Sequence, residues 1–111
     1  MTNNAEGTFI TLYGYQAEAI SDVIAERERQ DRKWGEQNHS PVEWIVILGE
    51  EYGEMCQEAL RLHFGDDEGE RREQWLKNYR AELVQAAAVA VSMIESFDRQ
   101  EARRIASGGA E

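Results

Sequence analysis

The sequence predicts an all-α fold, a helical bundle with three main helices per chain that is completed by oligomerisation. Three observations carry this. Strand signals are thin, and the short run TFITLY (8–13) is the one segment with clear β character. Pro41 is the only proline. Elsewhere apolar residues recur at three- and four-residue spacing, which is the period of an amphipathic helix. The length of 111 residues suits one domain, with residues 1–15 and 100–111 peripheral to it.

The first helix is expected over about Gln16–Lys33. Ala17, Ile20, Val23 and Ile24 share one side, and the same face continues through Arg27, Asp31 and Trp34 before Gly35 ends it. The second has a clear start: Ser40 as N-cap, Pro41 as the first helical residue and Glu43 completing a capping box. It should run to Phe64 and stop at Gly65. GDDEGE (65–70) reads as the connection. The third helix is expected from Glu70 to about Arg99, with the last residues, ASGGAE, frayed. Its segment LVQAAAVAVSMI (83–94) is apolar almost all round, so it needs burial on more than one side. In a chain this short that calls for a partner subunit.

Composition narrows the function. With 22 acidic against 12 basic residues the formal net charge is −10, which argues against coating a nucleic-acid polymer. A nucleotide substrate stays open, because a divalent cation can bridge two sets of anions. Cys56 is the only cysteine, so no disulfide forms within the chain and a reduced, cytoplasmic setting is the simplest expectation. No run is long and apolar enough to span a membrane. The N-terminus, MTNNAEGTF, lacks the basic and apolar regions of a signal peptide.

The stretch ILGEEYGEM (47–55) sets three carboxylates inside an apolar run. With Glu51 at zero on a helical wheel, Trp44, Ile47, Met55 and Leu62 fall within about 40°. Glu58 lies about 20° away and Glu54 about 60°, on the stripe's shoulder, while Glu50 sits at the margin. On the third helix Glu82 is central to a stripe holding Trp75, Val89 and Met93, with Gln85 about 60° to one side. A carboxylate buried without a partner costs several kcal/mol. No Lys or Arg shares these stripes, so a hard divalent cation with oxygen ligands fits best.

EEYGE (50–54) on one helix and ELVQAAA (82–88) on a later one resemble the MazG-like all-α nucleoside triphosphate pyrophosphohydrolases. That superfamily carries E-E-x-x-E on one helix and E-x-x-D on the next long one. Glu50, Glu51 and Glu54 match the first motif, Glu82 matches the second Glu, and Gln85 stands where the pattern has Asp. RQDRKWGEQNHSPVEW (29–44) is similar to the segment before the first motif in small single-domain members, which are frequent in bacteriophage and bacterial genomes. NHSP (38–41) is similar to the stretch found in the branch acting on deoxycytidine triphosphate. The resemblance covers about residues 20–99.

It implies cleavage between the α- and β-phosphates of a (d)NTP or modified nucleotide, giving a nucleoside monophosphate and pyrophosphate. Mg²⁺ would be the cofactor, with Mn²⁺ as an alternative, held by Glu51, Glu54 and Glu82 with Gln85 in the fourth ligand's place. Glu50 would orient the attacking water or support the ligands. The resemblance also implies a homodimer or homotetramer with the site in or near the subunit interface. Arg27 and Lys33 are the phosphate-binding candidates, and Arg80 a weaker one. Trp34 and Trp44 are the base-stacking candidates, and His39 is a contact to base or phosphate. For each of these the plain alternative is an ordinary surface charge, a core side chain or a loop histidine. EQNH (36–39) has a di-iron-like Glu-x-x-His spacing but lies between Gly35 and the Ser-Pro cap, outside a helix, and has no second copy. Gln85 keeps a second function in play: a catalytically degenerate module of the same fold that binds a nucleotide or a protein partner without cleaving it. A purely structural acidic bundle is the third.

Overall fold

The computed structural model describes residues 4–65 and 69–108, with side chains from residue 14 on. They form three helices: α1 (Asn4–Trp34), α2 (Pro41–Phe64) and α3 (Glu70–Ala106). The all-α expectation holds, with two corrections to the boundaries. The TFITLY run is not extended but continues α1 upstream of Gln16. Its β character is a weak preference that a strand realises only against a pairing partner, and the described residues contain no strand. α3 runs on past Arg99 to Ala106, because its last turns are tied down by the α1–α2 connection. The stretch 66–68 of the GDDEGE connection and the tail 109–111 lie outside the described residues.

The ends of α2 follow from its sequence. The Ser40 hydroxyl accepts from the Glu43 backbone N–H, and the Glu43 carboxylate accepts from the Ser40 N–H at 2.8 Å. At the far end Gly65 is required by crowding, since a Cβ there would run into the Trp75 indole and the Arg61 carbonyl. Gly35 ends α1 with a positive φ of 74°, its N–H bonding the Asp31 carbonyl.

Hydrogen bonds fix the helix directions. Arg72 at the start of α3 donates to the Leu62 carbonyl at the end of α2. Gln100 late in α3 donates to the His39 carbonyl just before α2, so the two run antiparallel. Arg99 donates to the Gln37 carbonyl and the Asn38 side chain, and Arg103 reaches Glu36. The segment between α1 and α2 is thereby stapled to the second half of α3. Asp22 of α1 pairs with Arg80, and Arg27 with Glu95, so α1 runs parallel to α3. The bundle is up-down-up with α3 in contact with both neighbours.

α3 packs through small residues. Ala86, Ala88, Ser92 and Ser96 are buried, with Val89 and Trp44 of α2 completing the apolar core. That core is slight. Val42, Ile45, Ile94, Phe97 and Ile105 are each at least 60 % exposed on α2 and α3, and Ile20 and Ile24 are half exposed on α1.

Candidate metal centre and the adjoining cavity

Glu51 and Glu54 stand one turn apart on α2 and meet Glu82 from the antiparallel α3. One carboxylate oxygen from each falls within 4.8 Å of the others. This is the convergence the two helical wheels predict. Among the described residues no Lys or Arg pairs with any of the three, and one oxygen each of Glu51 and Glu82 is buried without a hydrogen-bond partner. Burial, then the charges of Glu54, Glu26 and Glu50, push the Glu51 carboxyl above its usual range. Glu82 is pushed to about 7, first by burial and then by its close approach to Glu54. A proton or a cation is needed to relieve such a set.

Two of the acids around the cluster, Glu58 and Glu26, are compensated. Glu58 on α2 takes both bonds from Arg61 at 2.9 Å. Glu26 on α1 is gripped by Arg29 at 2.6 and 2.8 Å, and the Gln30 amide also donates to it, so its carboxyl is held below the usual range.

A cavity of about 270 Å³ opens beside the cluster. α1 contributes Glu26, Gln30 and Trp34, α2 contributes Trp44, Ile47, Glu50 and Glu51, and α3 contributes Gln85, Val89 and Ser92. In each helix the residues follow helical spacing, so each lays one stripe along the cavity from the acidic end to the indole end. A larger hollow, about 520 Å³, lies between α1 and α3 on another side, walled by Ile20, Val23, Ile24, Ala87 and Val91. It is far poorer in chemistry: Arg27, Asp31 and Glu95 on its edge are engaged with one another.

The candidates for substrate contact divide. Trp34, Trp44 and Gln85 line the cavity, with Trp44 only 4 % exposed and Trp34 53 %. Lys33 lies near it, its ammonium 4.7 Å above the Trp34 ring, a cation–π contact. Arg27 does not come to the acids. It is buried, donating to both oxygens of Glu95 and to Asp31. Arg80 is on the surface with Asp22. His39 sits behind the Trp44 ring, edge to face at 4.7 Å, and lines a separate hollow with Ser96, Phe97 and Gln100. EQNH (36–39) is non-helical, as its position between Gly35 and the cap requires. Glu26, Gln30, Gln37 and Ser92 were not foreseen as cavity residues. Glu26, Gln30 and Trp34 follow the spacing i, i+4, i+8, and Ser92 stands two turns beyond Gln85, so the signal was present once the indole end was known.

Comparison with protein-family models, curated proteins and solved structures finds no match to the chain. The functional reading therefore stands on the site.

Proposed function

We propose that the chain is a divalent-cation-dependent nucleoside triphosphate pyrophosphohydrolase that releases a nucleoside monophosphate and pyrophosphate. The observation that carries this is the uncompensated convergence of Glu51, Glu54 and Glu82 at the end of a cavity walled by two indoles. The resemblance of the EEYGE and ELVQ segments to MazG-like enzymes points the same way.

The residues fit Mg²⁺ or Mn²⁺: hard oxygen donors, two of them buried and unpartnered, on two helices whose packing fixes their spacing. A bound cation would supply the positive charge that screens phosphate oxygens and polarises the attacking water. The chain's own residues do the rest. Glu51, Glu54 and Glu82 hold the charge at one end of the cavity. Glu50, exposed at the cavity edge one residue from Glu51, would accept the proton of the water. Trp34, half exposed at the other end, offers its face to the base, with Trp44 packed in the wall behind it.

The assembly is a homodimer or homotetramer. Eight large apolar side chains at least 60 % exposed on α2 and α3, against a buried apolar core of one tryptophan, one valine and two alanines among the described residues, are the support for it. Sedimentation of the purified protein should give an oligomer, and a monomer at all concentrations would rule it out.

A nucleotide panel with Mg²⁺ tests the activity. Monophosphate and pyrophosphate are the expected products. Orthophosphate alone, or no product from any nucleotide, overturns the reading. Gln85, a neutral residue beside three acids, favours one alternative, a module that binds without cleaving. Nucleotide binding by an inactive parent, with activity created by Gln85→Asp, would establish that alternative.

A further inference from the structure

We propose that Gln85 is a specificity-determining residue that reads the nucleobase by hydrogen bonding, with Ser92 and Gln37 beside it, rather than a ligand of the metal. This rests on the nucleotide reading of the same cavity.

The first support is placement. At 1.5 Å per residue, Trp44 lies ~10 Å along α2 from Glu51, Gln85 lies ~4.5 Å along α3 from Glu82, and Ser92 ~15 Å. All three helices carry their stripes from acids to indoles in the same direction across the cavity. A nucleotide holds its phosphates and its base at opposite ends, so phosphates at the carboxylates would leave the base between the exposed Trp34 indole and the α3 stripe. Gln85 starts that stripe.

The second support is hydrogen-bond accounting. On the same cavity the Gln30 amide is already committed, donating to Glu26. In the cavity the Gln85 amide, the Gln37 amide and the Ser92 hydroxyl have no hydrogen-bond partner among the described residues, although Ser92 is only 8 % exposed. Three neutral polar groups on one cavity can read a neutral ligand edge. The arginine on this cavity, Arg29, is already held by Glu26.

The third is chemical. An amide presents a donor and an acceptor side by side, which matches the adjacent donor and acceptor on a nucleobase edge. Indole faces hold every base with little preference. Selectivity then falls to Gln85, and a base whose edge leaves that amide unpaired is rejected.

The experiment uses the whole protein and reads binding without turnover. Quenching of tryptophan fluorescence by dCMP, dTMP, dAMP and dGMP is measured for the parent, Gln85→Met and Ser92→Ala. Methionine keeps the length of glutamine without its hydrogen bonds. The parent should prefer one or two of the four. Gln85→Met should weaken the preferred ligand by about tenfold and bring the four within a few-fold of one another, and Ser92→Ala should do the same to a smaller degree. The Mn²⁺-induced rise in melting temperature should be the same in all three proteins. An altered metal response with base preference retained in Gln85→Met would make Gln85 a metal ligand and overturn the proposal. Equal binding of all four by the parent would overturn it too. If Gln85→Met fails to fold, an unchanged preference in Ser92→Ala counts against the proposal. Because the monophosphates are not hydrolysed, failure of the pyrophosphohydrolase assay and failure of base reading are separate results.

Discussion

Two sets of carboxylates on this bundle differ in compensation: one is paired with arginine and the other is not. On one side Arg27 is buried between α1 and α3, bonded to Glu95 and Asp31, with Arg99 joining Glu95 to Glu36. On another, Glu51, Glu54 and Glu82 converge with no arginine or lysine paired to them among the described residues. The first arrangement satisfies its charges internally and fixes how α1 sits on α3. The second leaves carboxylates raising one another's pKa, a cost that only a proton or a cation relieves. The lesson is that a gathering of acids does not by itself mark a site. What marks it is burial without the partner that burial normally demands.

The largest effect should come from breaking the uncompensated set. Glu51→Gln removes a ligand charge while keeping the shape of the side chain. Turnover is expected to fall on the order of a thousandfold or more, while the melting temperature holds or rises because a repulsive charge has gone. Activity within a few-fold of the parent would remove Glu51 from the metal centre. A cooperative melt for the variant separates chemistry from misfolding.

A second measurement adds the missing partner. Mg²⁺ or Mn²⁺ should raise the melting temperature of the parent, by about 2.7 kcal/mol of stabilisation at a hundredfold excess over Kd, and EDTA should reverse it. Glu51→Gln and Glu82→Gln should blunt the response. A parent protein indifferent to divalent cations would leave the cluster as a strained surface feature and favour the structural acidic bundle.

The compensated set should respond in the other way. Arg27→Leu strips the guanidinium from Glu95 and Asp31, which are 41 % and 56 % exposed at their side chains and so partly rescued by water. The expected cost is about 2 kcal/mol, a fall in melting temperature of roughly 10 °C. Below that temperature KM should be unchanged, since Arg27 does not reach the cavity beside the acids. A raised KM with an unchanged melt would restore Arg27 as a phosphate contact.

The two regions also differ in how far the sequence discloses them. Glu51 and Glu82 were legible because each sits mid-stripe on its own helix, and a wheel of 100° per residue needs nothing beyond that helix. The same holds for the Ser40–Glu43 cap. Arg27 was not legible. Its position on α1 near Lys33 suggested a phosphate contact, but its partner Glu95 is 68 residues away and no local pattern announces the pair. Glu26 was missed for the same reason: its approach to Glu51 depends on how α1 lies against the other helices. TFITLY failed differently. Local preference spoke for a strand, and the all-helical context decided against it.

The smallest effect sharpens the comparison through pH. Glu82 has a folded pKa of about 7 against an ordinary value of 4.5, raised by burial and by Glu54. The folded state therefore binds this proton more tightly than the unfolded chain. The stability it contributes is present in full below about 4.5 and is lost as pH rises through about 7. In EDTA the melting temperature should accordingly fall by several degrees between about pH 5.5 and about pH 8. The other acids of a chain with net charge −10 also repel more as pH rises, so the control is Glu82→Gln, whose slope should be shallower than the parent's. With saturating Mg²⁺ the parent's slope should flatten or reverse, because cation and proton compete for the same oxygens and the cation gains as pH rises. Identical slopes in the parent and Glu82→Gln would mean that Glu82 is ionised throughout, and the contrast between the two sets of acids would lose its electrostatic basis.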